Sequence, residues 1–199
     1  MKSNRLTSPK VFIIESLKFI NEQSDHYEGK IISQILNLSG VRCEYYYIRT
    51  KKELEEILKE FNKIRYRYLH LSMHGSAKSL TTTLDDLPFG DLSLILQNSL
   101  DNKRLFISAC SAVNESLADR IFGETNCYSI IGHNKKINMN DAAIFWASFY
   151  HLMFKKNKNR MTYEVIKPTL KNLIATHNIP ITYFNASKSD MRGYRRVSL

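Results

Sequence analysis

The chain alternates short apolar runs with amphipathic stretches, the pattern of parallel strands joined by crossover helices. Val11 to Ile14 is the first apolar run and predicts a strand. Glu15 to Glu28 is polar and predicts a long loop at that strand's carboxyl end. A helix follows, with Ile31, Ile32, Ile35 and Leu36 on one face and a stop at Gly40. Val41 to Ile48 predicts a second strand. Thr50 to Glu53 has the form of a capping box, ahead of Leu54, Ile57, Leu58 and Phe61 at helical spacing.

Tyr68 to Met73 predicts the third strand. Ser79 to Thr83 and Pro88-Phe89-Gly90 flank a short hairpin around Leu84-Asp85-Asp86-Leu87, after which Asp91 is placed to cap a helix through Leu100. A fourth strand from Arg104 ends at Cys110. Asn114 begins a helix with Leu117, Ala118, Ile121 and Phe122 inward and Gly123 as its stop. Cys127 to Gly132 predicts a fifth strand, and a polar loop leads to Asn140-Asp141 and the apolar helix Ala142 to Phe154. Pro168 interrupts a helical pattern that includes Val165, Ile166, Leu170, Leu173 and Ile174, so a helix kinks or begins there. Ile179 to Phe184 is the final strand. The expectation is one α/β domain over residues 1–199, with a mostly parallel sheet of about six strands and helices on both faces.

Composition narrows this only a little. A hydrophobic fraction of 43% and a charged fraction of 24% are those of an ordinary globular chain of 199 residues. The 29 Lys and Arg exceed the 19 Asp and Glu, giving a net charge of +10, which is compatible with nucleic acid or an acidic protein as a partner. Much of the excess lies in Lys155 to Arg160 and Arg192 to Arg196, which read first as a solvated loop and tail. Cys43, Cys110 and Cys127 have neither a disulfide framework nor zinc-ligand spacing, and His26, His133, His151 and His177 show no metal-ligand spacing either. No metal and no cofactor is therefore expected, and a reducing cytoplasm suits the cysteines. The polar start, Met1 to Lys10, runs straight into a strand and does not resemble a signal peptide; no run is long enough to span a membrane.

The third and fourth strands change the picture. Each is an apolar run that stops at one reactive side chain, His74 in Leu71-Ser72-Met73-His74-Gly75 and Cys110 in Leu105-Phe106-Ile107-Ser108-Ala109-Cys110-Ser111. In open α/β sheets, sites lie at the carboxyl ends of strands. If these two strands are neighbours, an imidazole meets a thiol and takes its proton. Gly75 leaves room for a substrate backbone, and its amide with that of Cys110 would hold an oxyanion. His70 and Ser72 share a strand face with His74, so one of them orients the imidazole or both pack as a polar pair against a helix. Cys43 and Cys127 read as core thiols.

These segments resemble the His-Gly and Ala-Cys motifs of caspase-like cysteine peptidases, and their wording is most similar to bacterial CHAT domains, the branch related to separase. Gly132 through Asp141-Ala142-Ala143-Ile144-Phe145-Trp146-Ala147-Ser148-Phe149-Tyr150 is similar to the strand, polar loop and helix that follow the nucleophile there. The resemblance implies a caspase-like three-layer sandwich and a cysteine endopeptidase with His74 as general base, Cys110 as nucleophile and the Gly75 and Cys110 amides as oxyanion hole. It further implies a protein or peptide substrate and a bacterial effector in antiphage defence or cell death, restrained by a regulatory protein.

Two departures bear on specificity. Ser-Ala-Cys-Ser-Ala replaces the Gln-Ala-Cys-Arg-Gly of caspases, which removes the basis for aspartate specificity. Lys135 or Lys136 stands where separase-like relatives carry an acid, so a basic cleavage residue loses support. Glu15, Asp25 and His133 are the other candidates for the substrate pocket, because their loops follow the first and fifth strands; surface decoration is the competing role. Asp141 reads as a helix cap. A different class of function remains on the same fold: an inactive binding module whose basic surface contacts nucleic acid or an acidic protein. An acyltransferase or hydrolase acting on a non-peptide substrate would share the dyad.

Overall fold

The computed structural model describes residues 8–199. Its centre is a nine-stranded sheet. β1 (Ser8–Ser16) pairs in parallel with β2 (Cys43–Tyr47) on one side and with β3 (Tyr66–Gly75) on the other. β3 then pairs in parallel with β6 (Arg104–Ser108), and β6 with β7 (Ser129–His133). Two antiparallel strands, β8 (Ile181–Ala186) and β9 (Tyr194–Arg196), complete the order β2-β1-β3-β6-β7-β8-β9. A small hairpin, β4 (Ser79–Thr81) and β5 (Asp86–Pro88), folds back on the end of β3, with His74 opposite Thr81 and Gly75 opposite Leu80.

Helices cover both faces, which is why the central strands read as continuous apolar runs rather than alternating ones. Successive β1 residues divide between two cores, as strand alternation requires. Phe12 and Ile14 join Leu54, Leu58 and Phe61 of α3 (Lys51–Ile64), Leu92 and Leu96 of α4 (Phe89–Leu96), and Leu117 and Ile121 of α5 (Glu115–Glu124). Val11 and Ile13 join Ile32 and Leu36 of α2 (Glu28–Leu38), the aromatic row of α6 (Met139–Lys156), and Ile166 and Leu170 of α7 (Tyr163–His177). Every one of these core side chains is at most 4% exposed, so the expected three-layer α/β sandwich is the fold.

The differences from the sequence reading cluster where polar residues turn out to be buried. β1 runs on to Ser16, so Glu15 belongs to a strand and not to a loop. The segment expected as loop contains a short helix, α1 (Phe19–Gln23), and α2 already begins at Glu28. The carboxylate of Glu15 explains that start. It accepts hydrogen bonds from the amides of Gly29 at 2.7 Å and Lys30 at 3.2 Å, two of the donors that a helix leaves unpaired at its N-terminus. Gly29 is needed for the approach, since a Cβ there would stand 3.0 Å from the Ile13 side chain and 3.2 Å from that of Glu15.

The second strand starts at Cys43 rather than Val41, and the Thr50–Glu53 capping box is present in full. α4 starts at Phe89, which puts Asp91 in its first turn rather than at its cap, and it ends at Leu96. Gly123 does not stop α5, which continues to Glu124. Pro168 lies inside α7.

Candidate active site

β3 and β6 lie side by side with Ser72 opposite Ser108, so their carboxyl ends leave the sheet together. His74 and Cys110 each stand two residues beyond that pair. The end of β3 that carries His74 and the loop that carries Cys110 are pressed against each other at Gly75. A Cβ on Gly75 would fall 2.9 Å from the Cβ of Ala109 and 3.2 Å from the Cys110 carbonyl oxygen, so only glycine fits between the two strand ends. His74 and Cys110 line one cleft of about 350 Å³, mouth included, at the small end of the range for ligand sites.

The Cys110 loop is tied to its surroundings by backbone and side-chain hydrogen bonds. Ser111 adopts the left-handed conformation (φ 59°) and donates its amide to the Lys135 carbonyl at 3.1 Å, while the Val113 amide reaches the His133 carbonyl at 3.0 Å. Asn114 does three jobs: its Oδ1 caps α5 by accepting from the Leu117 amide at 3.2 Å, and its Nδ2 donates to the Ser111 and Ala77 carbonyls at 3.0 Å each. The two loops are thus tied by one side chain as well as by contact. The Cys110 thiol itself sits 3.6 Å from the Ile137 carbonyl.

His74 is held by a residue that sequence reasoning missed. Its Nε2 lies 2.7 Å from Oδ1 of Asn21, on α1. With Nε2–H donated to that amide oxygen, Nδ1 is the basic nitrogen. α1 is anchored in turn by Glu22, which receives the Arg49 guanidinium at 3.1 and 2.8 Å and the Tyr47 hydroxyl. Burial, and then the positive charge of Lys18, hold the His74 imidazole below its ordinary pKa, so it is neutral and able to accept a proton at pH 7. The one available signal for Asn21 was position: a polar residue in the segment after β1, at the same sheet edge.

The cleft narrows inward onto polar residues. Leu17, Met73, Ile137 and Met139 form its apolar walls. Its deep end is made by Glu28, Ser72 and Ser108, all at most 5% exposed. Glu28 accepts a hydrogen bond from the Ser108 hydroxyl at 2.9 Å through Oε2. Its other oxygen, Oε1, faces Nε2 of His70 at 3.7 Å, and neither atom has a hydrogen-bond partner among the described residues.

The substrate-pocket residues expected from sequence are scattered. Glu15 is buried under α2, with the Tyr45 hydroxyl at 2.8 Å completing its partners, and it reaches the cleft only through the Ser72 hydroxyl at 3.4 Å. His133 is fully buried and accepts from the Trp146 indole at 3.0 Å, so it packs in the core. Asp25, Lys135 and Lys136 are exposed and do not line the cleft. Of the pair on the His74 strand face, His70 packs against α6, with Nδ1 2.9 Å from the Tyr150 hydroxyl. Asn138 takes the N-cap position of α6, and Asp141 lies in its first turn.

Burial raises the other thiols, Cys43 to about 11 and Cys127 to about 12, which keeps both uncharged. Among the described residues no group of His, Cys, Asp and Glu is arranged to hold a metal, and no helix is long and apolar enough to cross a membrane.

No family model matches the chain, and no curated protein matches its sequence. Solved structures match its fold. A secreted C11 cysteine protease from Bacteroides thetaiotaomicron superposes with a TM-score of 0.61 at 10% identity, over 90% of this chain and 67% of that one. The same kind of protease in complex with an irreversible peptide inhibitor gives 0.59 at 9% identity, over 89% and 66%. This chain therefore spans about two thirds of the length of those proteases. Protein GSU0716 from Geobacter sulfurreducens matches over 94% of this chain and 98% of its own, with a TM-score of 0.53 at 10% identity. The fold is that of the caspase-like C11 proteases.

Proposed function

We propose that the chain is a cysteine endopeptidase in which His74 is the general base and Cys110 the nucleophile. The observation that carries this reading is the meeting of the two strand ends in one cleft, with Gly75 packed directly against Ala109 and Cys110. The Cys110 thiol gives its proton to Nδ1 of His74 as its sulfur attacks the scissile carbonyl carbon. The amides of Gly75 and Cys110 receive the resulting oxyanion. The C–N bond then breaks, and the proton on His74 goes to the departing amine. Water, deprotonated by the same imidazole, releases the acid from the thioester and returns the thiol.

The fold supports the reading, since two solved structures that share it are of a secreted C11 cysteine protease, one of them with a peptide inhibitor. The bacterial defence or cell-death setting and restraint by a separate protein belong to the same proposal and rest on the resemblance to CHAT domains. Three free cysteines fit a cytoplasmic place of action.

The test is to map new protein N-termini in a lysate of the source cell after adding the wild-type protein or its Cys110→Ala variant, with the native partner present. Cleavages that appear only with wild type are expected. Identical maps from both proteins overturn the proposal.

A further inference from the structure

We infer that the amino-terminal edge of the sheet, at the far end of the strands from the cleft, binds single-stranded nucleic acid, with arginines taking the phosphates and two tyrosines stacking on unpaired bases. The surface is independent of the peptidase reading. β6 begins with Arg104 at this edge and ends toward Cys110 at the other.

The fold gathers here what the sequence scatters. The strand register puts Arg104 beside Ser129, Ser129 beside Asn185, and Asn185 beside Arg195, one row across β6, β7, β8 and β9. Three strand spacings make that row about 14 Å long. The segment between α6 and α7, which carries most of the basic run Lys155 to Arg160, crosses the same edge. Its Asn159 carbonyl accepts from the Arg67 guanidinium at 3.2 Å, and its Met161 carbonyl from that of Arg104 at 3.1 Å. The basic run before α7 and the arginines of β9 therefore meet in one patch.

Aromatic rings are interleaved with these charges. Tyr128 is 48% exposed, and the Arg104 guanidinium stands over its ring at 5.8 Å. Tyr163, partly buried, has the Lys167 ammonium and the Arg195 guanidinium each 5.8 Å from its ring. Cations beside rings form the platform on which unpaired bases stack while their phosphates are neutralised.

The charge is also left open to a ligand. Neutral oxygens hold Arg104, the Met161 carbonyl and the Ser129 hydroxyl at 2.8 Å, so its direction is set while its charge is not cancelled. The lysines and arginines that pair with acids among the described residues, Arg49, Lys51, Lys59, Lys63 and Arg192, lie outside the patch. Glu164, in the first turn of α7, is near enough to feel Arg160 and Arg104, one negative charge among several positive ones. Among the described residues the patch has no exposed aliphatic side chain to bury in a lipid surface, and an acidic peptide would leave its rings unused.

The test is fluorescence anisotropy with labelled oligo(dT) and oligo(U) of about 12 nucleotides and a DNA duplex of the same length. Both single strands are expected to bind more tightly than the duplex, with log affinity falling as log salt rises. Arg160→Glu combined with Arg195→Glu is expected to weaken binding by ~30-fold or more, and Lys135→Glu combined with Lys136→Glu, the same change of charge away from the patch, by less than ~3-fold. Tyr128→Ala is expected to cost ~10-fold, and Tyr128→Phe, which keeps the ring, to bind like wild type. A preference for either strand names the source, RNA or DNA, and supports the inference in both cases. No binding at ~50 mM salt, duplex bound as tightly as single strands, equal losses in the two charge-reversal pairs, or Tyr128→Ala and Tyr128→Phe behaving alike overturns the inference. So does equally tight binding of polyglutamate or of phosphatidylserine vesicles.

Discussion

At the scale of single residues, the proposed site rests on the side chains of His74, Cys110 and Asn21 and on the absence of one at Gly75. That His74 and Cys110 would meet in one cleft was legible in the sequence, because each ends an apolar run and sites gather at strand carboxyl ends. Asn21 and Glu28 were not legible. Both lie in a polar segment whose pattern says only that it is not core, and whether a polar residue there faces solvent or a cleft is settled by tertiary packing. Asn21→Ala is expected to lower kcat by ~100-fold with little change in KM, because it removes the hydrogen-bond partner of His74, the proposed general base. Asn21→Asp keeps an acceptor at 2.7 Å but adds a negative charge that favours the imidazolium. Its pH–rate profile is therefore expected to have its acid limb at higher pH than wild type. An unmoved acid limb and an unaltered kcat would show that Asn21 has no hold on His74.

At the scale of elements, the strands and long helices were predicted closely, since periodicity reports burial and these elements are buried on a face. The capping box of α3 is the plainest case, because the motif states its own hydrogen bonds. What failed was the reading of charge as loop. Glu15 is in a strand because its carboxylate satisfies the start of α2, and no pattern along β1 announces that. Two glycines mark where elements touch backbone to backbone. A Cβ on Gly132 would lie 2.1 Å from the Ile107 carbonyl oxygen in the adjacent strand, so Gly132→Ala is expected to destabilise the fold by ~3 kcal/mol, as overpacking of a fixed neighbour does. Gly75→Ala pushes instead on the loop of Cys110. It is expected to leave the melting temperature closer to wild type and to lower kcat/KM by ~100-fold, the effect of misplacing reacting groups by about 1 Å. Melting curves and peptide cleavage on the two variants check this contrast.

At the scale of the molecule, buried ionisable groups set the response to pH. Burial raises Glu15 to about 7 and Glu28 to about 8 from 4.5, so both bind more protons folded than unfolded. Their contribution to stability is whole below pH 4.5 and is lost as pH climbs through 7 to 8. Burial lowers His70 and His133 to about 3 from 6.5, so their contribution is whole above pH 6.5 and is lost as pH falls toward 3. Thermal unfolding is therefore expected to show its highest melting temperature between about pH 4.5 and 6.5, with a decline on both sides. A melting temperature that rises steadily to pH 8 would contradict it.

The same contrast between buried and open groups makes the central claim directly measurable. Cys43 and Cys127 are held as neutral thiols, so alkylation by iodoacetamide, followed residue by residue by mass spectrometry, reports on Cys110. The account predicts that Cys110 reacts first and that His74→Ala slows it by ~10-fold or more at pH 7, where an unassisted thiol is only a few per cent thiolate. Equal rates in wild type and His74→Ala would contradict the dyad.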